Sequence, residues 1–157
     1  MPKPKEERSL IILKPDALQR GLIGEIFHRF ERKGLKIVGL KMVQLEDIVL
    51  EEHYAHHKDK PFFDSLKTFM KSAPVVLAVV SGINAIGAIR LIVGPTKGYE
   101  ADAGSIRGDF AMSGQANIVH ASDSAESAKR EIRHFFSSDE LFDYQKPEFP
   151  WVYAGDE

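Results

Sequence analysis

The sequence contains no cysteine. This absence excludes disulfides, zinc sites built on thiolates and thiol nucleophiles, and it makes a reducing cytoplasm the expected location. The N-terminal residues are charged and lack an apolar run, so a signal peptide is not expected. Long hydrophobic runs are also missing, because no segment approaches the roughly 18 apolar residues of a membrane-spanning helix.

An excess of charge of one sign is missing as well. Lys and Arg number 21 and Asp and Glu number 23, a net charge of −2 with histidine neutral. Such a balance produces no general attraction for polyanions, so no nucleic-acid partner is expected and any phosphate site must be a local cluster of cations. With 157 residues, 43% of them hydrophobic, the chain is long enough for one domain with a full core.

The common phosphate-binding motifs are absent too. Residues 94–98, GPTKG, do not fit the G-x-x-x-x-G-K-[ST] pattern, and residues 21–24, GLIG, lack the glycine pair of G-x-G-x-x-G. The H-R-D and D-F-G signatures of protein kinases are also missing. A phosphate site in this chain must therefore depend on isolated basic side chains.

Apolar periodicity and turn residues predict alternating strands and helices. Residues 1–8 are predicted as a flexible tail and residues 9–157 as a single domain, with an irregular segment after Tyr144. The predicted strands cover residues 9–13, 35–45, 74–80 and 116–120. The predicted helices cover residues 23–33 with Gly34 as C-cap, 47–58 capped by Asp47, 61–72, 84–93 capped by Asn84, and a last helix capped by Ser122 or Ser124. Residues 94–108 are predicted as a long ordered loop, which is usually functional.

The order β-α-β-(αα)-β-α-β-α favours an α+β fold. Four strands in two split β-α-β units predict a ferredoxin-like sandwich, with a four-stranded antiparallel sheet and helices covering it. A doubly wound parallel sheet is the alternative, although it requires more strand–helix alternations than this length supplies.

His120 is the first candidate for chemistry. It closes an apolar strand and precedes residues 121–124, ASDS, a sequence typical of a helix start. Active-site groups are often displayed at such junctions, and a neutral imidazole can act as a nucleophile toward phosphorus or as a base. Glu131, two turns into the following helix, can reach back to orient the ring directly or through Ser122. Spacing alone leaves a purely structural histidine open.

Three cations could serve a phosphate site. Lys14 ends the first predicted strand, Arg90 lies among apolar residues of a predicted helix, and Arg107 lies in the long loop. A lysine and two arginines offer point-like and forked donors suited to phosphates.

A histidine cluster invites a metal interpretation. His53, His56 and His57 fall on one predicted helix, but no carboxylate or cysteine stands at zinc-protease spacing. We therefore predict a solvated helix face and no protein-bound metal. The nearby aromatics, Tyr54 and Phe62, are expected either in the core or as a ring that stacks on a base.

Six ordered blocks give these candidates a common context: residues 13–16 (LKPD), 20–25 (RGLIGE), 53–54 (HY), 61–63 (PFF), 106–110 (IRGDF) and 117–124 (NIVHASDS). Together they resemble the nucleoside diphosphate kinase family over nearly the whole chain. The departures from the family pattern, such as Ala121 after the histidine, remove no catalytic group.

The resemblance implies a ferredoxin-like fold and a ping-pong reaction. In that reaction His120 takes the γ-phosphoryl group of a nucleoside triphosphate and passes it to a nucleoside diphosphate. It also implies Mg²⁺ carried on the nucleotide phosphates and a homo-oligomer, either a hexamer or a tetramer. The residue roles it implies are phosphate binding by Lys14, Arg90, Thr96 and Arg107, sugar contacts by Asn117 and Lys14, base stacking by Phe62 with Leu66 nearby, and Tyr54 and Glu131 beside the histidine.

Two other function classes fit parts of the pattern. A regulatory nucleotide-sensing module on the same scaffold would keep Phe62, Arg90 and Arg107 without a reactive histidine. A nucleic-acid-binding protein is less compatible with the charge balance. For the enzyme, Arg107→Ala is expected to lower turnover roughly tenfold to a hundredfold while leaving the fold intact.

Overall fold

The computed structural model describes residues 6–157. Its four strands are β1 (Glu6–Leu13), β2 (Lys36–Val43), β3 (Val75–Ile83) and β4 (Val119–Ala121). The α-helices of this part of the chain are α1 (Pro15–Gln19), α2 (Ile23–Lys33), α3 (Asp47–His53), α4 (Phe63–Lys71), α5 (Ala85–Val93), α6 (Ile106–Phe110), α7 (Ala125–Phe135) and α8 (Phe149–Val152).

The strands form one sheet in the order β2-β3-β1-β4, and every neighbouring pair is antiparallel. This arrangement confirms the ferredoxin-like α+β prediction and eliminates the parallel alternative. The two longest apolar segments, β1 and β3, occupy the centre of the sheet, where both faces are covered.

Alternate residues of the central strands enter two separate hydrophobic layers, as the period of two of a β-strand requires. Ile11 and Leu13 pack in the layer that contains α2 and α5, whereas Leu10 and Ile12 pack in the layer that contains α3, α4 and α7. All four side chains are fully buried, and each contributes roughly 1.5–3 kcal/mol to folding. The end of β1 is therefore held rigidly, and with it Lys14.

Residues 6–8, which the sequence predicts as part of a flexible tail, belong to a strand. Strand β1 begins at Glu6, and Glu6–Arg8 pair with residues 81–83 of β3. Main-chain pairing of this kind does not require apolar side chains, so the charged sequence of residues 6–8 does not reveal the strand. The remaining predicted tail residues, 1–5, lie outside the described part of the chain.

The last strand is shifted and shorter than predicted. It covers Val119–Ala121 instead of residues 116–120, because Ile118 has a φ angle of 77°. A β-strand cannot continue through a residue in the left-handed region. The sequence gives no sign of this bend, since a β-branched residue rarely adopts it.

Several helix boundaries also differ from the predictions. Helix α3 ends at His53, Glu46 and not Asp47 is its N-cap, and Asn84 makes no side-chain cap bond to α5. Helix α6 begins within the predicted long loop, and the segment after Tyr144 contains α8. Gly34, at a φ of 101°, caps α2 as predicted, and Ser124 accepts a hydrogen bond of 3.0 Å from the Ser127 nitrogen at the start of α7.

Among residues 6–157, we find no helix whose length and apolar content would allow it to cross a membrane.

Candidate active site

One cleft of about 1140 Å³ is lined by all the catalytic and nucleotide-binding residues that were predicted from the sequence. The ends of β1 and β4, helices α3, α4, α5, α6 and α7, and the segment between α5 and α6 all contribute to it. The nominated residues that line the cleft are Lys14, Tyr54, Phe62, Leu66, Arg90, Thr96, Arg107, Asn117, His120 and Glu131.

His120 stands in β4 opposite Ile12 of β1. Its Nε2 lies 2.9 Å from Oε2 of Glu131, and the hydroxyl of Ser122 donates to the other carboxylate oxygen at 2.6 Å. Burial alone would raise the pKa of Glu131, but the hydrogen bond and charge of His120 and the Ser122 bond hold that pKa below its ordinary value. A neutral imidazole that donates from Nε2 keeps its lone pair on Nδ1.

The segment before His120 makes a tight turn around Ile118. The main-chain nitrogen of Val119 donates to the carbonyl of Asn117 at 2.8 Å, and with a positive φ at Ile118 this is a γ-turn of the strained kind. Conformations of this type cost on the order of 1–3 kcal/mol and persist only when their surroundings enforce them. Lys14 provides one such restraint, because its main-chain nitrogen donates to the carbonyl of Ile118 at 2.8 Å.

Lys14 is buried and points its ammonium group at Asn117. Nζ donates to Oδ1 of Asn117 at 2.7 Å, and the amide nitrogen of Asn117 donates to the carbonyl of Thr96 at 2.9 Å. Burial lowers the pKa of Lys14 to about 8, with the positive charge of Arg107 as the next cause and Asp16 opposing the shift. The ammonium is still largely charged at neutral pH.

Arg107 is buried as well, and its guanidinium donates hydrogen bonds to three main-chain carbonyls of the site. Nε donates to the carbonyl of Asn117 at 3.2 Å, Nη1 to Gly94 at 3.0 Å, and Nη2 to Val119. Burial, followed by the charge of Arg90, lowers the pKa of Arg107 to about 10. The guanidinium therefore has a structural task in addition to the charge that it brings to the cleft.

Three of the cations that line the cleft, Lys14, Arg90 and Arg107, lie close enough to affect one another. Among charged neighbours, Arg107 has the largest effect on the pKa of Lys14, and Arg90 lowers the pKa of Arg107. Like charges therefore lie close together in the cleft. A bound anion would offset the repulsion among these positive charges. Phosphate oxygens match the forked and point-like donors that these side chains offer.

Part of the cleft lining is apolar and aromatic. The ring of Phe62 is 44% exposed at the start of α4, whereas Leu66 one turn later is buried. Phe62 contacts the ring of His57 edge-on, with 5.2 Å between the centroids. An exposed ring face of this kind can stack on a nucleic base without choosing among bases.

The prediction of a solvated histidine face is wrong for His53. Its side chain is only 4% exposed, and its ring meets Tyr54 at 4.6 Å and His120 at 5.0 Å between centroids. Burial, and then the charge of His120, lower the pKa of His53 to about 3. The error arose because α3 ends at His53, so His56 and His57 do not continue the same helical face.

Comparisons with known proteins agree on one family. The family model described as nucleoside diphosphate kinase matches residues 7–141. The chain belongs to the nucleoside diphosphate kinase family. It is therefore an enzyme that transfers phosphate between nucleotides, which decides against a nucleotide-sensing module without activity.

Relatives within the family are similar over almost their whole length. The nucleoside diphosphate kinase of Parabacteroides distasonis is 52% identical over 151 residues, which cover 96% of this chain and 99% of that one. The one from Archaeoglobus fulgidus is 50% identical over 94% of this chain and 97% of its own. A solved structure of the halophilic nucleoside diphosphate kinase of Halobacterium salinarum in complex with CDP superimposes with a TM-score of 0.92, at 43% identity, over 95% of this chain and 99% of that chain.

Two residues of this nucleoside diphosphate kinase site were given no role from the sequence. His53 lies against His120, and Asp16 accepts a bond from the strained turn. A signal existed for both, because the blocks at residues 13–16 (LKPD) and 53–54 (HY) contain them. The contact of His53 with His120 could not be inferred from spacing, because the two residues come from distant parts of the chain.

Proposed function

We propose that this nucleoside diphosphate kinase works in two half-reactions through a phosphohistidine at His120. A nucleoside triphosphate donates its γ-phosphoryl group to the ring, and a nucleoside diphosphate in the same cleft then accepts it. One arrangement supports this assignment above all. Glu131 holds Nε2 of His120, so Nδ1 keeps its lone pair in the cleft that Lys14, Arg90 and Arg107 also line.

In the first half-reaction, Nδ1 attacks the γ-phosphorus and the bond to the β–γ bridging oxygen breaks. The nucleoside diphosphate leaves with the electron pair of that bond. The second half-reaction reverses these events on a different diphosphate. The proton on Nε2 stays in its bond to Glu131, whose carboxylate offsets the positive charge that the phosphorylated ring acquires.

The charged side chains of the cleft supply the electrostatic part of catalysis. Lys14, Arg90 and Arg107, with Thr96, would hold the phosphates, and each charge-assisted contact contributes roughly 1.5–3 kcal/mol. Phosphoryl transfer depends mainly on positioning and on charge stabilisation, so such a cluster suits it.

Recognition of the nucleoside would be broad. Asn117 and Lys14, whose side chains meet at 2.7 Å, would contact the sugar hydroxyls, and Phe62 with Leu66 would cover the base. Stacking contributes roughly 1–3 kcal/mol and accepts purines and pyrimidines alike. Tyr54, which is next to His53, would flank His120.

Mg²⁺ fits this site as a companion of the nucleotide. Among residues 6–157, three grouped metal-ligating side chains occur at His53, His120 and Glu131, and imidazole nitrogens are poor ligands for Mg²⁺. The ion would therefore be held by the phosphates, where it neutralises charge on their oxygens.

A homo-oligomer and a cytoplasmic location remain predictions. The first is supported by the apolar side chains of Leu40 and Met42, which are exposed on the edge strand β2. Light scattering coupled to gel filtration would measure the mass and decide between a tetramer and a hexamer.

The reaction is tested by following a labelled phosphate. After incubation with γ-labelled ATP, we expect an acid-labile, base-stable phosphoprotein that loses its label on addition of GDP. His120→Ala should abolish labelling, while His134→Ala, which alters another histidine of the cleft, should retain it. Absent labelling of the parent protein, or undiminished labelling of His120→Ala, would reject the proposal.

A further inference from the structure

Three potential metal ligands meet at the proposed phosphoryl carrier, which is one of them. His53 of α3, His120 of β4 and Glu131 of α7 each offer one ligand atom, and these atoms all lie within 4.8 Å of one another. Two imidazoles and a carboxylate are the donor set of many zinc enzymes. Ligands about 2.0–2.1 Å from a tetrahedral ion are roughly 3.4 Å apart, so small side-chain rotations would complete the site.

His53 has a ring nitrogen with no use in the phosphoryl-transfer reaction. Its Nδ1 is 3.9 Å from Oε2 of Glu131, too far for a hydrogen bond, although the side chain is almost entirely buried. An ion between the ring and the carboxylate would give this nitrogen a bonding partner.

We infer that His53, His120 and Glu131 form a binding site for a divalent transition-metal ion, with Zn²⁺ as the best match, and that the bound ion inhibits the enzyme. The binding part depends only on the geometry of these three side chains. The inhibitory part rests on the proposed function, in which Nδ1 of His120 is the nucleophile.

Coordination changes the tautomer of His120. An ion bound at Nε2 takes the lone pair of that nitrogen, so the single proton of the neutral ring resides on Nδ1. Nδ1 then has no lone pair to attack phosphorus. Metal binding and phosphorylation therefore exclude each other, and no proton needs to leave the ring.

Excess Mg²⁺ does not compete for this site. Mg²⁺ prefers oxygen ligands in octahedral geometry, whereas imidazole nitrogen suits zinc and its neighbours in the transition series. His120 is 22% exposed, which gives an ion from solution access. Inhibition should consequently occur at zinc concentrations far below that of the Mg²⁺ in the assay.

Binding is measured by titrating Zn²⁺ into the unmodified full-length protein in a calorimeter with millimolar Mg²⁺ present. We expect one ion per chain and at least a tenfold weaker affinity for His53→Phe, which keeps a ring in the buried position. His53→Gln serves as a second, polar replacement. His56→Ala and His134→Ala, two other histidines of the cleft, should stay within twofold of the parent. Equal affinity in the His53 variants, or an equal loss in the controls, overturns the inference.

A measurement without substitutions reports on the ring itself. In ¹⁵N NMR spectra of the His120 side chain, Zn²⁺ should move the proton from Nε2 to Nδ1, and phosphorylated protein should show at least a tenfold loss of zinc affinity. A His120 signal that is unchanged at saturating Zn²⁺ would contradict the proposed metal site.

Labelling with γ-labelled ATP separates the two proposals. Zinc should suppress the label at least tenfold in the parent protein, and a chelator should restore it. Zinc that binds through His53 without suppressing the label would overturn the inhibitory part. A protein that stays unlabelled without zinc would refute the proposed function, whereas the calorimetry would still decide whether the metal site exists.

Discussion

The carboxylate of Asp16 accepts a hydrogen bond of 3.1 Å from the main-chain nitrogen of Ile118, 102 positions later in the chain. The same residue, Ile118, has a φ angle of 77° and accepts a bond from the nitrogen of Lys14. Asp16 and Lys14, which follow β1, thus bind the main-chain nitrogen and carbonyl of Ile118, two residues before His120. Burial raises the pKa of Asp16, although its main-chain hydrogen bonds and the charge of Lys14 oppose that shift.

Removal of the Asp16 carboxylate should loosen this turn. We expect Asp16→Ala to lower the melting temperature, since a buried hydrogen bond contributes about 0.5–1.5 kcal/mol. It should also slow formation of the phosphoenzyme about tenfold, because His120 is less well positioned. Asp16→Asn keeps an acceptor oxygen and should recover most of both properties. Identical behaviour of the two variants would show that the bond does not position the turn.

Glu131 should matter more for the rate than for the fold. Glu131→Gln keeps an oxygen that can accept from Nε2 of His120 but removes the negative charge. We expect phosphoenzyme formation to slow roughly tenfold to a thousandfold, the range of a lost electrostatic stabiliser. Ser122→Ala, which removes the hydrogen bond of 2.6 Å to the same carboxylate, should have a smaller effect. Rapid-quench kinetics would measure both, and an unaltered rate in Glu131→Gln would argue against its orienting role.

The two arginines should respond differently to truncation. Arg90→Ala removes an exposed side chain, so it should weaken nucleotide binding and leave the melting temperature unchanged. Arg107→Ala removes a hydrogen bond from the carbonyls of Gly94, Asn117 and Val119, of which Asn117 keeps its bond from the Val119 nitrogen. Each group that is left unsatisfied costs roughly 1–3 kcal/mol. It should therefore lower both turnover and stability, which revises the sequence-based expectation of an intact fold. Thermal melts and steady-state kinetics of both variants would test this difference. An Arg107→Ala variant with the melting temperature of the parent would contradict it.

Nucleotide binding should weaken as the pH rises through about 8. The pKa of Lys14 is lowered to about 8, so its ammonium is charged at neutral pH and loses that charge above this value. A bound phosphate favours the charged form, and affinity should fall roughly tenfold to a hundredfold on the alkaline side. Lys14→Arg keeps its charge over the whole range and should remove this dependence. Titrations at pH 7 and pH 9.5 would test the point, and a parent affinity that stays constant would contradict it.

Much of the fold was accessible from the sequence because local rules act there without competition. The apolar run of residues 9–13 predicted the central strand, Gly34 predicted the end of α2, and Ser122 or Ser124 was predicted to cap the last helix, where Ser124 is the cap. The segment Ile118–His120 was harder. Lys14 and Asp16, from a distant part of the chain, bind the main chain of Ile118, and no local pattern marks a β-branched residue for a positive φ.

The composition of the site was predicted from motif positions, but its internal bonding was not. The sequence nominated Arg107 as a cation of a polar loop, whereas the side chain is buried and bonded to three carbonyls. It assigned His53 to a solvated face, whereas the ring packs against His120. Both differences depend on contacts between distant segments, which periodicity and spacing do not report.

The most direct test of the central claim is to identify the phosphorylated atom. Protein labelled in the histidine rings with ¹⁵N would be incubated with ATP and Mg²⁺, and the N–P coupling would be read by NMR. The account predicts one phosphoryl group per chain, on Nδ1 of His120, lost on addition of GDP. A phosphoryl group on Nε2, on another residue or on none would contradict it.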